Sequence, residues 1–209
     1  METGDSRFGR VLMERVSPER YEKLLKARVG IAGLGGIGSH IAIQLARCGV
    51  GSLHLVDFDR VDAGNLNRQH YFSAHEGRLK TEALREQILQ INPRIRLICD
   101  SIIVTRDNAG ALFEDDPIVC EAFDRPENKA LLVNALLEQS DSVKVIASSG
   151  MAGLGPSNDI RTQRIGSRLY VCGDGVSDVA AGEPLFAPRV AICAGHQSQQ
   201  AIRLILEED

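Results

Sequence analysis

The chain has 209 residues, 44% of them hydrophobic, so it can bury one substantial core, and a single domain over residues 1–209 is expected. Its 24 Lys and Arg residues against 28 Asp and Glu residues give a formal net charge of −4. This balance argues against nucleic acid as the main partner, because nucleic-acid binders present a broad basic field.

The cysteines and the apolar runs indicate the compartment. The first ten residues lack the apolar core of a signal peptide, and no apolar run approaches the roughly 20 residues of a membrane span. We therefore expect a cytoplasmic protein that does not enter a membrane. An odd number of cysteines without a CxxC pair fits a reduced compartment better than a disulfide framework, and they are Cys48, Cys99, Cys120, Cys172 and Cys193.

Residues 1–27 are predicted to form a helical appendage. Within it, Ser17-Pro18-Glu19 combines an N-cap residue, a proline for the first helical position and an acid for the first turn. A helix is therefore predicted from there to about Ala27.

Alternating strand and helix patterns follow. A buried strand at 28–32 leads into Gly-Leu-Gly-Gly-Ile-Gly at 33–38, which opens a helix to about Arg47 with Gly49 after it. Further strands are predicted at 53–56, 95–99, 117–122 and 143–147, and further helices at 79–91, 127–138 and 190–206. The alternation predicts a Rossmann-like, doubly wound α/β fold with a mostly parallel sheet. The loop-rich segment 148–188 has short strands at 160–165 and 169–171 and predicts a small antiparallel extension.

The glycine turn and Asp57 predict a nucleotide site. The turn follows a strand and opens a helix, so its backbone can approach a phosphate at the helix N-terminus. Asp57 ends the second strand, nineteen residues after Gly38, where a carboxylate can accept hydrogen bonds from an adenosine ribose. These two features alone favour an oxidoreductase that uses a dinucleotide.

Basic side chains beyond Asp57 change that interpretation. Arg68 lies in the segment 57–69, and Lys80 opens the next helix. A triphosphate that loses pyrophosphate needs cations over its β and γ groups, whereas glycine amides can hold a nicotinamide cofactor's pyrophosphate. Arg68 and Lys80 are candidates for this role, although either residue without this context is more typical of a solvated side chain near a helix start.

Asp124 follows the strand predicted at 117–122. Ligands of open α/β sheets bind at the carboxyl ends of strands, so Asp124 is a candidate ligand for Mg²⁺. The alternative is an N-cap for the helix that begins near Pro126.

Together these motifs resemble the ThiF/MoeB/HesA adenylyltransferase superfamily, which includes ubiquitin-activating enzymes. The glycine turn, the segment 49–59, Asn65-Leu-x-Arg-Gln69, Lys80 and Asn92-Pro93 occur in the order and spacing of that superfamily. The resemblance implies that ATP and Mg²⁺ are bound, with Asp124 as the Mg²⁺ ligand. The site residues that it implies are Gly33, Gly35, Gly36, Gly38, Asp57, Asp59, Asn65, Arg68, Lys80 and Asp124.

Two further resemblances indicate which branch of the superfamily the chain is most similar to. Arg7-Phe-Gly-Arg10 is similar to the N-terminal Arg-Tyr-x-Arg of bacterial members, whose last arginine reaches ATP in the neighbouring subunit. This implies a catalytic Arg10 and a homodimer, whereas the alternative is a disordered tail. The segments 149–155, 170–175 and 187–196 resemble the short ThiF branch of thiamine biosynthesis.

The cysteine pattern departs from the family. Typical bacterial members bind structural zinc with two CxxC pairs, which this chain lacks, so no zinc is predicted. The segment 177–188, which corresponds to the family's crossover loop, contains no cysteine, so the sequence leaves a covalent thiolate intermediate open.

The resemblance implies an ATP-dependent adenylyltransferase. Its partner would be a small ubiquitin-like sulfur-carrier protein, similar to ThiS and ending in Gly-Gly, whose terminal carboxylate becomes an acyl-adenylate as pyrophosphate leaves. Alternatives are an NAD(P)-dependent oxidoreductase, a non-catalytic nucleotide-binding or carrier-binding relative, and a tRNA-modifying member of the superfamily. The histidines show no catalytic arrangement, and they are His40, His54, His70, His75 and His196.

Overall fold

A computed structural model describes residues 7–208. Its helices are α1 (Arg7–Val16), α2 (Pro18–Lys26), α3 (Gly36–Cys48), α4 (Lys80–Ile91), α5 (Arg106–Leu112), α6 (Pro126–Gln139) and α7 (Ala187–Leu206). Its strands are β1 (Arg28–Ala32), β2 (Ser52–Val56), β3 (Arg96–Asp100), β4 (Ile118–Glu121), β5 (Lys144–Ser148), β6 (Arg161–Ile165) and β7 (Leu169–Gly173). None of the helices within this range is both long and apolar enough to cross a membrane.

The strands form one seven-stranded sheet in the order β3-β2-β1-β4-β5-β7-β6. All neighbouring strands run parallel except β6 and β7, which pair antiparallel. The predicted α/β fold with a small antiparallel extension is therefore confirmed. The chain winds from β1 to β2 and β3 on one side and returns to β4 on the other. In such sheets the crevice where the order reverses is the usual place for a ligand.

Helices cover both faces of the sheet. One buried cluster packs α3, α4 and α7 against the sheet, and a second packs α5 and α6 against the opposite face. Strands covered on both faces carry nearly continuous apolar runs, as the burial of β1 and β2 shows.

The helix ends follow local capping chemistry. Ser17 accepts a hydrogen bond from the backbone amide of Arg20 at 3.4 Å, which confirms the predicted N-cap of α2. Gly49 ends α3 in the left-handed conformation with φ of 87°. The C-terminal helix begins three residues earlier than predicted, at Ala187, because Pro188 fits the first turn of a helix.

Helix α1 falls within the helical appendage predicted for residues 1–27, whereas helix α5 has no counterpart among the predicted elements. The alternative of a disordered N-terminal tail is wrong for residues 7–16, which form α1, while residues 1–6 lie outside the described range. Helix α5 was not predicted, because its seven residues are too few to show a helical period and only Ala109 is buried. A capping box at its start joins Thr105 and Asn108.

A buried ionic network joins β2 to the neighbouring segments. His54 is 1% exposed, and its two ring nitrogens lie 2.6 Å from an oxygen of Asp116 and 2.8 Å from an oxygen of Asp100. Arg28 donates to the second oxygen of Asp116. Burial alone lowers the pKa of His54, but the hydrogen bonds and charges of Asp116 and Asp100 outweigh it and leave this pKa raised.

We predict that this network makes stability depend on pH. A histidine whose pKa is raised by folding contributes stability that is fully present below its unfolded pKa, about 6.5, and is lost as pH rises through the folded pKa. Denaturant unfolding at a series of pH values should therefore show a fall in stability above about pH 6.5 in the wild type that His54→Gln lacks. Parallel pH profiles for the two proteins would contradict this assignment.

Candidate functional site

A cavity of about 350 Å³ lies at the carboxyl ends of β1, β2 and β4, the point where the strand order reverses. The turn after β1, the segment after β2 and the turn after β4 supply most of its wall. Asp57, Asp59, Arg68, Lys80 and Asp124 are the predicted charged residues that line it. The fold therefore collects residues that lie far apart in sequence around one space.

The glycine turn delivers the N-terminus of α3 to the cavity. Gly33 has φ of 88°, and a Cβ there would lie 2.8 Å from the carbonyl oxygen of Ala122. Gly35 caps α3 and Gly36 begins it, and both line the cavity. Gly38 does not line the cavity, and a Cβ on it would collide with the carbonyl oxygen of Gly33. Its observed role is close packing of α3 on the strand.

Asp57 links the glycine turn to the end of β2. Its carboxylate accepts hydrogen bonds from the amide of Leu34 at 2.6 Å and from the amide of Asp59 at 2.8 Å. Burial raises the pKa of Asp57, although the charge of Lys80 opposes that shift. Each carboxylate oxygen keeps a second lone pair, so a ribose hydroxyl can still donate to Asp57.

Lys80 reaches the cavity from the first position of α4. Its side chain is buried, and its Nζ lies 2.8 Å from an oxygen of Asp59 and 3.8 Å from an oxygen of Asp57. The alternative of a solvated lysine is therefore wrong. A cation held between two carboxylates is fixed in place, so it can face a phosphate without reordering its side chain.

Arg68 lines the cavity from the segment after a short 3₁₀ helix at Ala63–Asn65. Its guanidinium donates to the carbonyl oxygen of Gly64 at 3.1 Å and to the side-chain oxygen of Asn67 at 2.8 Å. Both acceptors are neutral, so these contacts orient the guanidinium and leave its charge uncompensated by them.

Asp124 lies on the cavity wall directly before the N-cap of α6. That N-cap is Arg125, which makes no side-chain capping bond, so the alternative of Asp124 as the N-cap is wrong. Within residues 7–208, no group of three or more His, Cys, Asp or Glu side chains is arranged to hold a metal ion. A Mg²⁺ ion on a nucleotide usually needs only one or two carboxylates besides the phosphates, which Asp124 can provide.

Two of the predicted site residues, Asn65 and Arg10, do not line the cavity. The side-chain oxygen of Asn65 accepts from the amide of Asp62 at 3.2 Å, and Asn65 does not line the cavity. Arg10 is exposed on α1, where Leu12 packs against Gly49 at the C-terminal end of α3. The cavity lies at the other end of this 13-residue helix, roughly 20 Å away. Arg10 is therefore closer to the far end of α3 than to the cavity of its own chain.

Several residues around the cavity were not predicted from the sequence. Tyr71 does not line the cavity, but it is buried, and its hydroxyl donates to the carbonyl oxygen of Leu34 at 2.8 Å, which holds the glycine turn in place. An apolar part of the wall is formed by Phe58, Phe123 and the segment 102–104. An apolar run directly after a strand in the sheet, here Ile102-Ile103-Val104 after β3, is a sequence signal that could have located this wall.

A second cavity of about 660 Å³ lies among the loops of residues 152–189. Sequence neighbours line the two cavities: Met151 and Val190 line the first, and Ala152 and Arg189 line the second. Arg189 holds its loops together by bonding the carbonyl oxygens of residues 155 and 156 and the carboxylate of Asp174. Burial alone raises the pKa of Asp174, but backbone amides and Arg189 outweigh it and lower this pKa to about 2.

The fold and the cavity define a doubly wound α/β protein with a cavity at the switch point of the sheet. The family model described as the ThiF family matches residues 8–209. The chain therefore belongs to the ThiF family, which confirms the resemblance that the motifs indicate.

Curated relatives span several activities. The chain is 38% identical over 89 residues to ubiquitin-like modifier-activating enzyme 5 of Caenorhabditis elegans, covering 42% of this chain and 21% of that protein. It is 32% identical over 148 residues to the tRNA threonylcarbamoyladenosine dehydratase of Haemophilus influenzae, covering 70% and 56%. It is 33% identical over 132 residues to the probable adenylyltransferase/sulfurtransferase MoeZ of Mycobacterium tuberculosis, covering 62% and 34%. The chain thus spans only part of the length of each relative.

Solved structures share the fold. The E. coli tRNA N6-threonylcarbamoyladenosine dehydratase TcdA in complex with ATP has a TM-score of 0.86 at 22% identity, covering 97% of this chain and 94% of that chain. E. coli MccB with ATP has a TM-score of 0.73 at 22% identity, covering 100% and 65%. Identities this low support the likeness of the fold alone.

Proposed function

We propose that the chain is an ATP-dependent adenylyltransferase that activates the C-terminal glycine carboxylate of a small ubiquitin-like sulfur-carrier protein. The observation that carries the proposal is the placement of Arg68 and Lys80 on one cavity wall beside the N-terminus of α3. A helix N-terminus and two cations suit a triphosphate better than the pyrophosphate of a dinucleotide. Membership of the ThiF family supports the same class of reaction.

The cavity offers a partner for each part of ATP. The carboxylate of Asp57 accepts from the ribose, and the apolar wall at 102–104 packs against the base. The glycine turn, Arg68 and Lys80 face the phosphates. Two similar structures, E. coli TcdA and MccB, are described as complexes with ATP, which supports this placement.

The reaction needs no nucleophile from the protein. The carrier's carboxylate attacks the α-phosphorus, a new O–P bond forms, and the bond from the α-phosphorus to the bridging oxygen of the leaving pyrophosphate breaks. The carboxylate is already ionised at neutral pH, so no general base is required. Arg68 and Lys80 stabilise the charge that develops on the pyrophosphate. Asp124 would hold Mg²⁺, which would supply charge neutralisation to the phosphates.

The loops at 148–188 are the proposed docking surface for the carrier. They carry strongly exposed apolar side chains, including Leu154 at 81% and Val176 at 86%, and exposed apolar patches mark protein contacts. Neighbouring residues line this cavity and the nucleotide cavity, so a Gly-Gly tail that enters here would lie near the nucleotide. Relatives named as a ubiquitin-like modifier-activating enzyme and as adenylyltransferase/sulfurtransferases support a carrier of this kind.

A covalent thiolate intermediate is not part of the proposed reaction. All five cysteines are free, and Cys120, Cys172 and Cys193 are buried. Burial raises the pKa of Cys172 to about 11 and that of Cys193 to about 12, which suppresses the reactive thiolate. A role in thiamine biosynthesis is the narrower part of the proposal and rests on the motifs at 149–155, 170–175 and 187–196.

Exchange of labelled pyrophosphate into ATP tests the proposal directly. We expect exchange only when a carrier that ends in Gly-Gly is present, and no exchange with the same carrier lacking its last glycine. Thermal shifts with ATP and with NAD(P) test the oxidoreductase alternative, because a ligand that binds only the native state must raise the melting temperature. A shift with NAD(P) but not with ATP would reject the adenylyltransferase.

A second candidate is the tRNA modification for which the H. influenzae relative is named. Two observations support this candidate. The match to the H. influenzae relative covers 70% of this chain, and the fold resembles that of E. coli TcdA. The net charge of −4 disfavours a tRNA partner. Exchange that depends on tRNA and not on any carrier would favour this candidate.

A further inference from the structure

A further cavity, of about 380 Å³, lies between α7 and the edge of the sheet formed by β6 and β7. Thr162 and Arg164 of β6 line it on one side. One face of α7 lines the other side with four polar residues at helical spacing, namely His196, Gln199, Gln200 and Arg203. Among the described residues that line this cavity, none is Asp or Glu. The cavity is therefore basic, although the whole chain has a formal net charge of −4.

This basic cavity is separate from the two cavities described above. It shares no lining residue with either of them. Arg161 and Gln163 line the cavity among the loops, whereas Thr162 and Arg164 line the basic cavity. Successive side chains of a strand point to opposite faces of the sheet, so these two cavities lie on opposite sides of β6. A role for the basic cavity therefore does not depend on the proposed function.

Local contacts hold two of the lining side chains in place. Nδ1 of His196 lies 3.0 Å from Oγ1 of Thr162, so the second ring nitrogen, Nε2, stays available to a ligand. Arg164 donates to two carbonyl oxygens of the turn between β6 and β7, at 3.1 and 3.4 Å. Its guanidinium carbon also lies 5.7 Å from the ring centroid of Tyr170. A side chain that is already ordered loses less conformational entropy when a ligand binds.

Two other side chains supply accessible donors. Gln199 and Arg203 are exposed, and neither side chain makes a hydrogen bond or an ion pair within residues 7–208. The buried side-chain atoms without a partner in that range all belong to residues outside this cavity, so its unused donors can be reached from solvent. A solvated helix face would explain these two residues, but it would not explain Gln200, which is 6% exposed and still lines the cavity.

We propose that the basic cavity binds a small phosphate-bearing molecule, with Arg164 and Arg203 on its phosphate oxygens and Nε2 of His196 as a further donor. A guanidinium group matches phosphate oxygens with two parallel hydrogen bonds. A single carboxylate would engage one arginine, whereas a phosphate dianion can accept from both arginines and the histidine. The cavity volume of about 380 Å³ falls within the range of small-molecule pockets, which favours a phosphate ester over free phosphate.

Titration of the ¹⁵N-labelled full chain with inorganic phosphate and with ribose 5-phosphate, followed by amide chemical shifts, tests the proposal. Both probes should shift the signals of residues 162–164 and 196–203 to saturation, and ribose 5-phosphate should bind more tightly. Arg203→Gln removes the guanidinium but keeps a polar side chain, so it should weaken binding of both probes about 10–100-fold. Tighter binding of inorganic phosphate than of the ester would overturn the choice of a phosphate ester.

Lys26→Gln is the matched control, because it removes the same charge at an exposed position of α2 outside the cavity and should leave phosphate binding unchanged. Arg68→Ala separates this site from the nucleotide cavity, since it should leave the shifts at 196–203 intact. Shifts that do not saturate, or that are unchanged in Arg203→Gln, would overturn the proposal. Equal affinity for acetate would also overturn it, because a carboxylate would then satisfy the site. Signals that respond to protein concentration and not to phosphate would assign this face to a second copy of the chain instead.

Discussion

Arg68→Ala is expected to lower carrier-dependent pyrophosphate exchange by about 10²–10³-fold, the usual loss for one well-placed electrostatic donor. Arg68 lines the cavity, and its guanidinium is held by two neutral acceptors, so its removal leaves no buried carboxylate unpaired. The fold should therefore survive, and the loss should appear in the rate. Lys80→Ala and Asp124→Ala should lower exchange to a similar extent.

Melting temperature distinguishes Lys80→Ala from Arg68→Ala. Lys80 lies between the carboxylates of Asp57 and Asp59, so Lys80→Ala brings an additional loss of stability that Arg68→Ala lacks. Lys26→Ala is a suitable control, since Lys26 is an exposed lysine paired with Glu22 on α2. Near-normal exchange by folded Arg68, Lys80 and Asp124 variants would remove the assigned phosphate site.

A mixture of Arg10→Ala protein and Lys80→Ala protein is expected to recover pyrophosphate exchange that neither protein has alone. Each site of the proposed two-fold dimer needs Lys80 from its own chain and Arg10 from its partner. A mixed dimer contains one site with both residues intact. The placement of Arg10 toward the far end of α3 from its own cavity motivates the experiment.

Subunit exchange must be established by a tagged pull-down before the recovery is scored. An Arg10→Ala protein with full activity would show that Arg10 has no role in the reaction. An impaired Arg10→Ala protein whose activity is not recovered in confirmed mixed dimers would place Arg10 at the site of its own chain. Arg15→Ala serves as the matched control, because Arg15 is another exposed arginine on the same helix.

Local sequence patterns determined most of the secondary structure. Apolar runs predicted β1 and β2 to within a residue, since strands buried on both faces must be nearly continuously hydrophobic. Ser17, Pro18 and Gly49 marked helix ends because capping depends on backbone groups a few residues away. Helix α5 escaped prediction because a seven-residue helix with one buried residue has no measurable period.

The sequence predicted some of the residues that line the cavity and one that does not. Motif spacing indicated Asp57, Arg68, Lys80 and Asp124, and the topology brings all four to one cavity. Spacing also indicated Asn65, whose side chain instead forms a local cap, because a short polar side chain can bond its neighbouring backbone as readily as a ligand.

The sequence by itself determined the fold class and the family, because strand and helix periods, glycine turns and ordered motifs are properties of neighbouring residues. The tertiary structure alone decided which side chains face the cavity and which are already bonded. It placed Lys80 between two carboxylates, Tyr71 against the glycine turn, and Arg164 and Arg203 around one cavity. Such contacts join segments that are distant in the chain, and only the packing of helices on the sheet brings them together.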